Sequence, residues 1–281
     1  MNPVDYLLIG NMTADLLADG SYIAGGTVSY AAPVAQAFGL RVGIVTRTRP
    51  GEPLLDTLRP YAALHVVDSA ETTIFENIYT PQGRIQYVRG VADDITPAEI
   101  PQAWQGALMV HLAPIAREAA HVGILDLFPQ ATILFTPQGW LRQWDASGRV
   151  AYREWHDEAM IRRADVIVLS EEDIAQHPQA EDILRPMAQR LVVTRSDRGG
   201  TYYINGERFE YEAVPAQVLE PTGAGDVFAV SLLCAYHLSN DFHRAIRVAA
   251  VLAADSLSRA GMDSAPSLET VKAALAAYDI V

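Results

Sequence analysis

Short apolar runs alternate with amphipathic segments along the first two thirds of the chain. The runs have the length and the aliphatic composition of strands that are buried on both faces. They lie at residues 6–9, 42–46, 64–67, 107–112, 132–135, 166–169 and 191–194. Between them the pattern predicts helices, such as one over residues 28–38 that Gly39 ends. This order is typical of an α/β protein with a mostly parallel central sheet.

One stretch alternates polar and apolar residues instead. Residues 72–80 alternate, the chain turns at Pro81-Gln82-Gly83, and residues 84–88 alternate back. The pattern predicts an antiparallel hairpin with one polar face. The hairpin is either a flap added to the fold or an edge hairpin of the main sheet, and the pattern leaves both open.

The last third of the chain predicts two further strands followed by helices only. The strands are expected at residues 201–204 and 209–218, and a strongly apolar helix at 227–238. Asn240 or Asp241 is expected to cap the next helix, which would run to Ala260 and end at Gly261. Ser267 is expected to cap the last helix. We expect one domain over residues 1–281.

Composition and charge narrow the function. The chain of 281 residues is 50% hydrophobic, enough for a large core, and its formal net charge is −13. The charge disfavours nucleic acid and anionic membranes as partners. The single cysteine, Cys234, cannot form an intrachain disulfide. The chain starts without a signal-peptide pattern and has no apolar run long enough to span a bilayer, so we expect a cytoplasmic protein.

The loop Gly223-Ala224-Gly225-Asp226 is the strongest candidate for chemistry. Amides at a helix start attract anions, and the acidic residue beside them could take a proton from a hydroxyl that accepts phosphate. Two other interpretations remain: a plain glycine-rich turn, and a dinucleotide fingerprint, which Phe228 disfavours because a third glycine is needed there. No P-loop sequence occurs in the chain.

Three motifs in order give a resemblance to a known family. Gly10 with Asp15, Gly25-Gly26 before an early helix, and Gly223-Ala224-Gly225-Asp226 before a late helix resemble the ribokinase-like (PfkB) carbohydrate kinases. The resemblance covers essentially the whole chain. It implies a three-layer α/β/α fold with a small β lid at about residues 12–24 and 71–90. It also implies ATP and Mg²⁺, with transfer of the γ-phosphate to a substrate hydroxyl.

The resemblance also implies roles for individual residues. Asp226 would be the general base, and the amides of Gly223, Ala224 and Gly225 would form the anion hole. The residues implied in substrate binding are Asp15, Gly25, Gly26, Asn11, Asn77 and Arg142. Those implied in nucleotide binding are Thr194, Ser196, Gly199, Thr222, Gly223 and Gly225. Glu171 and Asp173 are implied as magnesium contacts through water.

Some positions depart from the family pattern. The Asn-x-x-Glu motif appears as Ser170-Glu171-Glu172-Asp173, and Ser196 replaces a glycine. Tyr30 and Thr13 stand where the ribokinase branch has asparagines, which disfavours a furanose pocket. Residues 25–32 and 138–142 are similar to the branch that includes myo-inositol kinases.

These patterns lead to one functional hypothesis and two alternatives. The sequence predicts a kinase for a small sugar or polyol, with myo-inositol as a candidate substrate. The alternatives are a nucleoside kinase, and a sugar- or nucleotide-binding protein that has lost the chemistry. The hairpin is compatible with a homodimer formed through the lid and also with a monomer.

Overall fold

The computed structural model describes residues 1–80 and 83–280, so the predicted turn at Pro81 and Gln82 lies outside the described residues. The strands are β1 (Tyr6–Ile9), β2 (Thr13–Leu16), β3 (Tyr22–Gly25), β4 (Val42–Thr48), β5 (Ala63–Asp68), β6 (Thr73–Thr80), β7 (Gly83–Gly90), β8 (Met109–Leu112), β9 (Thr132–Phe135), β10 (Arg142–Trp144), β11 (Val150–Tyr152), β12 (Val166–Ser170), β13 (Arg190–Thr194), β14 (Gly200–Ile204) and β15 (Glu207–Tyr211).

The helices are α1 (Thr27–Ala37), α2 (Val122–Leu125), α3 (Glu158–Ile161), α4 (Ala180–Leu184), α5 (Ala224–Ser239), α6 (Phe242–Ser256) and α7 (Leu268–Ala277). Short 3₁₀ helices occupy Pro53–Thr57, Pro97–Glu99, Gln102–Trp104, Pro137–Gly139, Ser196–Arg198 and Gly261–Ser264. Over the described residues, none of these helices is both long and apolar enough to cross a membrane.

A nine-stranded sheet forms the centre of the molecule. Its order is β15-β14-β13-β12-β9-β8-β1-β4-β5. In this order, all neighbouring pairs between β13 and β5 are parallel. At the other edge, β14 is antiparallel to β13, and β15 is antiparallel to β14. From β1 the chain first builds one side of the sheet, through β4 and β5, and then the other side from β8 onward. In parallel sheets such a reversal opens a crevice at the carboxyl ends of the strands, where ligands bind.

Apolar layers cover both faces of this sheet. Tyr6 and Leu8 of β1 pack in the core that includes residues of α1, α5, α6 and α7. Their neighbours Leu7 and Ile9 pack in the opposite core, which includes Trp104 and other large side chains. This alternation explains the continuous apolar run of β1, because both faces of the strand are buried. The predicted three-layer α/β/α architecture is confirmed.

A second sheet contains the predicted hairpin. Its order is β3-β2-β6-β7, and we call it the small sheet. The hairpin is therefore not an edge of the main sheet. Phe75 and Val88 of the small sheet pack against Ile115 and Ala116, in the loop that follows β8. This contact holds the small sheet over the carboxyl ends of the central strands.

Two predicted boundaries are wrong. The strand expected to reach residue 218 ends at Tyr211, where its pairing with β14 ends. The helix expected to reach Ala260 ends at Ser256. The next carbonyl, that of Leu257, instead accepts the N–H groups of Leu219 and Glu220 at 2.8 and 3.3 Å. The end of α6 is thereby joined to the segment that leads into the glycine loop.

The predicted helix caps are largely confirmed. Asp241 caps α6 through its side chain, which accepts a hydrogen bond from the N–H of Arg244. Asn240, the alternative cap, has a φ of 52° and ends α5 instead. Ser267 caps α7 by accepting from the N–H of Thr270. Gly39, with a φ of 83°, follows α1 as predicted.

Candidate active site

The glycine loop forms the first turn of α5 and requires glycine at one position. Gly223 is the N-cap residue and has a φ of 84°, a conformation that costs other residues free energy. A Cβ atom at Gly223 would lie 2.2 Å from Cδ1 of Tyr30, so the aromatic ring also leaves no room for a side chain. Tyr30 belongs to α1, and the starts of α1 and α5 therefore lie side by side.

The amides of this loop differ from the expectation of three unpaired donors. The N–H of Ala224 donates to the carbonyl of Pro221 at 3.2 Å, which closes the turn. The N–H groups of Gly223 and Gly225 make no hydrogen bond within residues 1–80 and 83–280. Two unpaired amides at a helix start, together with the helix dipole, suit an anion. Thr222, which is half-buried, directly precedes them.

Asp226 lies in the same first turn and is tuned toward neutral pH. Burial raises the pKa of its carboxyl group to about 6, a hydrogen bond from Thr27 lowers that pKa, the charge of Asp173 raises it, and Arg142 lowers it. A base with a pKa just below the working pH is largely ionised and still accepts a proton readily. The position and the pKa of Asp226 thus fit general-base chemistry.

Asp15 and Gly25 approach each other closely at the edge of the small sheet. Thr13 donates to Oδ1 of Asp15 at 2.8 Å. A Cβ at Gly25 would lie 2.5 Å from Oδ2 of the same carboxylate, so a residue larger than glycine would displace it. Burial raises the pKa of Asp15, and the Thr13 hydrogen bond and the charges of Arg142 and Arg84 lower it.

Asn77 shares a face of the small sheet with Asp15. Asp15 is paired with Phe75 in the β2–β6 register, and Asn77 follows Phe75 by two residues, so all three lie on the same face. The Oδ1 of Asn77 accepts a hydrogen bond from Nε2 of Gln86 at 2.9 Å. This pair of amides lies on the face that packs toward the main sheet through Phe75. We call it the inner face.

Arg142 is buried at the start of β10, next to the inner face. Its guanidinium lies 5.4 Å from the centre of the Phe75 ring. Nη1 donates to the carbonyl of Ile115 at 3.2 Å and Nη2 to Oε1 of Gln138 at 2.8 Å. Burial lowers the pKa of Arg142 to about 10, which leaves it charged at neutral pH. Nε2 of Gln138 in turn donates to Oγ1 of Thr27 at 2.7 Å.

The side chain of Asn11 is held by hydrogen bonds within the protein. Its Oδ1 accepts from the N–H of Arg47 at 2.9 Å, and its Nδ2 donates to the carbonyl of Asp93 at 3.4 Å. The side chain is buried and joins the end of β1 to β4. Gly26, with a φ of 79°, passes close to it, since a Cβ at Gly26 would lie 3.1 Å from the carbonyl oxygen of Asn11.

Three of the residues that the resemblance implies in nucleotide binding, Thr194, Ser196 and Gly199, lie in or next to the turn after β13. Thr194 ends β13, and Ser196 has a φ of 51°, in the region that glycine prefers. Serine therefore replaces the family's glycine at a conformational cost, because residues with a side chain adopt this φ less readily than glycine does. Gly199 has a φ of 76°, and a Cβ there would lie 2.0 Å from the carbonyl oxygen of Tyr211. Arg195 in this turn pairs with Glu181 at 2.7 Å.

Glu171 and Asp173 follow β12 and differ in their surroundings. Glu171 forms an ion pair with Arg198. Oδ2 of Asp173 accepts from the N–H and from the hydroxyl of Ser170, each at 2.9 Å. In the described part of the chain, no group of three or more metal-binding side chains forms a cage. Asp173 nevertheless faces Asp226 closely enough to raise its pKa, and a magnesium ion bound with substrate phosphates needs only one or two carboxylates.

The sequence alone did not single out several residues that complete the site. Thr27, Gln138, Arg84 and Gln86 gave little signal, although Thr27 directly follows Gly26 and Gln138 lies one turn before Arg142. Glu118 gave none. Its buried carboxylate accepts from the backbone N–H groups of Asn11, Ile115 and Ala116, and so fixes the loop on which the small sheet rests.

A turn with unpaired amides and a carboxylate at the start of one helix is chemically suited to the transfer of a phosphoryl group to a hydroxyl. The profile described as pfkB family carbohydrate kinase matches residues 154–270, which include the glycine loop and Asp226. This match covers less than half of the chain, and over that part the chain is similar to the pfkB family carbohydrate kinases.

Individual relatives are distant. A cytidine kinase from Thermococcus kodakarensis is 24% identical over 281 residues, covering 92% of this chain and 98% of the relative. A ribokinase from Lactococcus lactis subsp. lactis is 24% identical over 252 residues, covering 85% and 80%. A solved pyrophosphate-dependent kinase in the ribokinase family, complexed with a pyrophosphate analog and myo-inositol, has a TM-score of 0.80 at 18% identity, covering 95% and 99%. A fructokinase with bound ATP from Xylella fastidiosa has a TM-score of 0.76 at 16% identity, covering 98% and 99%. At these identities the structures show a shared fold.

Proposed function

We propose that the protein is an ATP-dependent kinase that transfers the γ-phosphate to a hydroxyl of a small sugar or polyol, with myo-inositol as the first candidate. The observation that carries the proposal is the first turn of α5. It combines the unpaired amides of Gly223 and Gly225 with a carboxylate, Asp226, whose pKa is about 6. Binding of phosphate alone would not favour a carboxylate beside these amides, whereas transfer to a hydroxyl does.

In this proposal each residue has a defined task. Asp226 accepts the proton of the attacking hydroxyl, and the amides of Gly223 and Gly225 stabilise the charge on the transferred phosphoryl group. The turn at Thr194, Ser196 and Gly199 and the residue Thr222 contact the nucleotide. Asp173 and Glu171 would hold Mg²⁺ through water, and the ion would neutralise part of the phosphate charge.

The acceptor would lie between the inner face and the start of α1. Asp15 can accept hydrogen bonds from two adjacent hydroxyls, and Arg142 can donate to a hydroxyl oxygen. Asn77 contacts the acceptor from the inner face, and the backbone at Gly25 and Gly26 approaches it from the start of α1. The small sheet then acts as a lid that excludes water, which would otherwise hydrolyse ATP.

The nucleoside kinase alternative is favoured by one observation. The cytidine kinase from Thermococcus kodakarensis matches 92% of this chain. A ribosyl hydroxyl could be the acceptor in the same chemistry. A homodimer through the lid stays a prediction, supported by the exposure of Tyr22 and Ile78 on the outer face of the small sheet.

The test is a transfer assay with a panel of acceptors. Release of ADP from Mg-ATP is measured with inositols, hexoses, pentoses and nucleosides, and pyrophosphate is tried as a second donor. Asp226→Asn is the control, because it keeps the shape of the side chain and removes the base. Stimulation by a polyol or sugar that the variant loses supports the proposal.

The other outcomes separate the alternatives. Stimulation by a nucleoside moves the acceptor to the nucleoside class and keeps the mechanism. Transfer from pyrophosphate and not from ATP overturns the donor assignment. No transfer with any acceptor, while calorimetry still detects ligand binding, overturns the kinase assignment and favours a binding protein.

A further inference from the structure

A chain of hydrogen bonds connects the acceptor side of the proposed site to the general base. Arg142 donates to Gln138 at 2.8 Å and Gln138 donates to Thr27 at 2.7 Å. Thr27 in turn interacts with the carboxyl group of Asp226 and lowers its pKa. Its members come from β10, from the 3₁₀ helix at Pro137–Gly139, and from the starts of α1 and α5. Thr27 is only 1% exposed, so water cannot easily replace its partners.

The direction of this chain is fixed by chemistry. A guanidinium has donors and no acceptor, so the group of Gln138 that faces Arg142 must be the carbonyl oxygen. The amide nitrogen then faces Thr27 and must donate to the hydroxyl oxygen. The proton of that hydroxyl is therefore left to point at Asp226, whose ionised carboxylate can only accept. A single permanent cation thus orients every proton of the chain toward the base.

We propose that Thr27 and Gln138 are positioning residues that hold Asp226 ionised and correctly oriented for proton abstraction, with Arg142 setting the direction of the chain. This inference rests on the proposed function, in which Asp226 is the general base. It assigns a task to Thr27 and Gln138 that does not require either residue to touch the substrate.

The electrostatic surroundings of Asp226 define the expected effect. Burial and the charge of Asp173, after β12, raise its pKa, whereas Thr27 and Arg142 lower it. On β1 the phenol of Tyr6 also interacts with Asp226, and its hydroxyl is hydrogen-bonded to Nδ1 of His111. The hydroxyl of Thr27 is thus the neutral group on α1 that offsets the cost of burying the charge. Removing it should raise the pKa of Asp226.

Three variants test the inference. Thr27→Val keeps the shape and removes the hydroxyl, and Thr27→Ser keeps the hydroxyl. Gln138→Glu still accepts from Arg142 and turns the Thr27 proton toward itself, away from Asp226. The pH dependence of kcat/KM is measured for each variant and for the wild type.

Thr27→Val and Gln138→Glu are expected to move the acidic limb of the profile upward by about 0.5–1 pH unit. Thr27→Ser is expected to keep the wild-type midpoint. Activity of the first two variants should therefore recover at high pH, which a purely structural defect would not allow. Equal midpoints in Thr27→Val and in the wild type would overturn the inference.

A direct titration separates this inference from the proposed function. The ¹³C signal of the Asp226 carboxyl group, assigned by its absence in Asp226→Asn, is followed against pH in the wild type and in both Thr27 variants. A higher titration midpoint of Asp226 in Thr27→Val supports the proposed role of Thr27 even if no acceptor is ever found. An unchanged midpoint overturns it even if the wild type is an active kinase. If Thr27→Val does not fold, Gln138→Glu provides the same comparison.

Discussion

At the scale of single residues, the pKa shift that suits Asp226 to accept a proton also lowers the stability of the protein at neutral pH. The Asp226 pKa of about 6 in the folded protein lies above the ordinary value of 3.8 for an aspartate, so the folded protein holds this proton more tightly than the unfolded chain. Stability is therefore lost as the pH rises from about 4 to above 6, by at most about 3 kcal/mol. The half-buried position of the side chain makes the effect smaller than this limit.

We expect Asp226→Asn to be inactive yet more stable than the wild type at pH 8. Loss of a general base typically lowers the rate about 10²–10⁴-fold. The gain in the free energy of unfolding should shrink toward pH 5, because the wild-type carboxyl group then regains its proton. Urea unfolding at both pH values measures this. Glu212→Gln, at an exposed carboxylate, is the control. A gain that is equal at both pH values would contradict the pKa assignment.

The two glycines of the loop are expected to respond differently to alanine. Gly223→Ala meets both the φ of 84° and the Tyr30 ring, and should lose about 2 kcal/mol or more. A Cβ at Gly225 has open space within 4 Å, so Gly225→Ala should be neutral or more stable by about 0.5–1 kcal/mol. Thermal unfolding of the pair measures the difference. Similar losses in both variants would argue against the observed packing.

At the scale of elements, the two faces of the small sheet are expected to differ in function. Gln86 lies on the inner face with Asn77, and Ile85 lies on the outer face. Gln86→Met removes the amide and leaves Asn77 without its partner, so KM for the acceptor should rise about tenfold with a smaller change in kcat. Ile85→Val is the matched control. An equal change of KM in the control would show that the effect comes from sheet stability.

The elements that the sequence predicted well are those with two buried faces. The run at residues 132–135 coincides with β9, and the run at 191–194 lies within β13, because burial on both faces leaves a continuous apolar signal. β2 and β3 gave no such signal. Asp15 and Ile23 are neighbours there through pairing in a mixed polar sheet, which only the tertiary structure determines. The end of β15 depended on its partner strand in the same way.

The candidate active site was also predicted only where its sequence pattern is local. The glycines and Asp226 were predicted because a helix start with amides and a carboxylate is a local pattern. The contact of Gln138 with Thr27 spans 111 positions in the chain. No local pattern could indicate such a contact, nor that the amide of Ala224 is used by the turn.

At the scale of the whole molecule, the buried side chain of His111 makes the stability of the fold depend on pH in the acidic range. His111 contacts the hydroxyls of Tyr6 and Thr136 through its two ring nitrogens, at 3.1 and 2.9 Å. Burial lowers its pKa from 6.5 to about 3. Between these values the unfolded chain binds the proton and the folded protein does not. Stability should therefore fall by about 1.4 kcal/mol per pH unit as the pH drops below about 6, partly offset by Asp226.

We expect His111→Gln to weaken this dependence, because glutamine offers hydrogen-bonding groups and does not titrate. The variant is compared with the wild type by chemical unfolding between pH 4 and pH 7. His156→Gln, at an exposed position, should keep the wild-type slope. If the slope of His111→Gln also equals that of the wild type, another group must control acid unfolding.

The contact of Tyr30 with Gly223 constrains how this protein can change over evolution or in the laboratory. Position 30 follows the Gly25-Gly26 motif on the proposed acceptor side, and its ring also packs closely against the glycine loop. A mutation at this position that reshapes the proposed acceptor pocket would disturb the glycine loop at the same time. Mutant libraries for new acceptors should therefore vary residues 77 and 86 first. Residues 30 and 223 should be varied only together, because they are in contact.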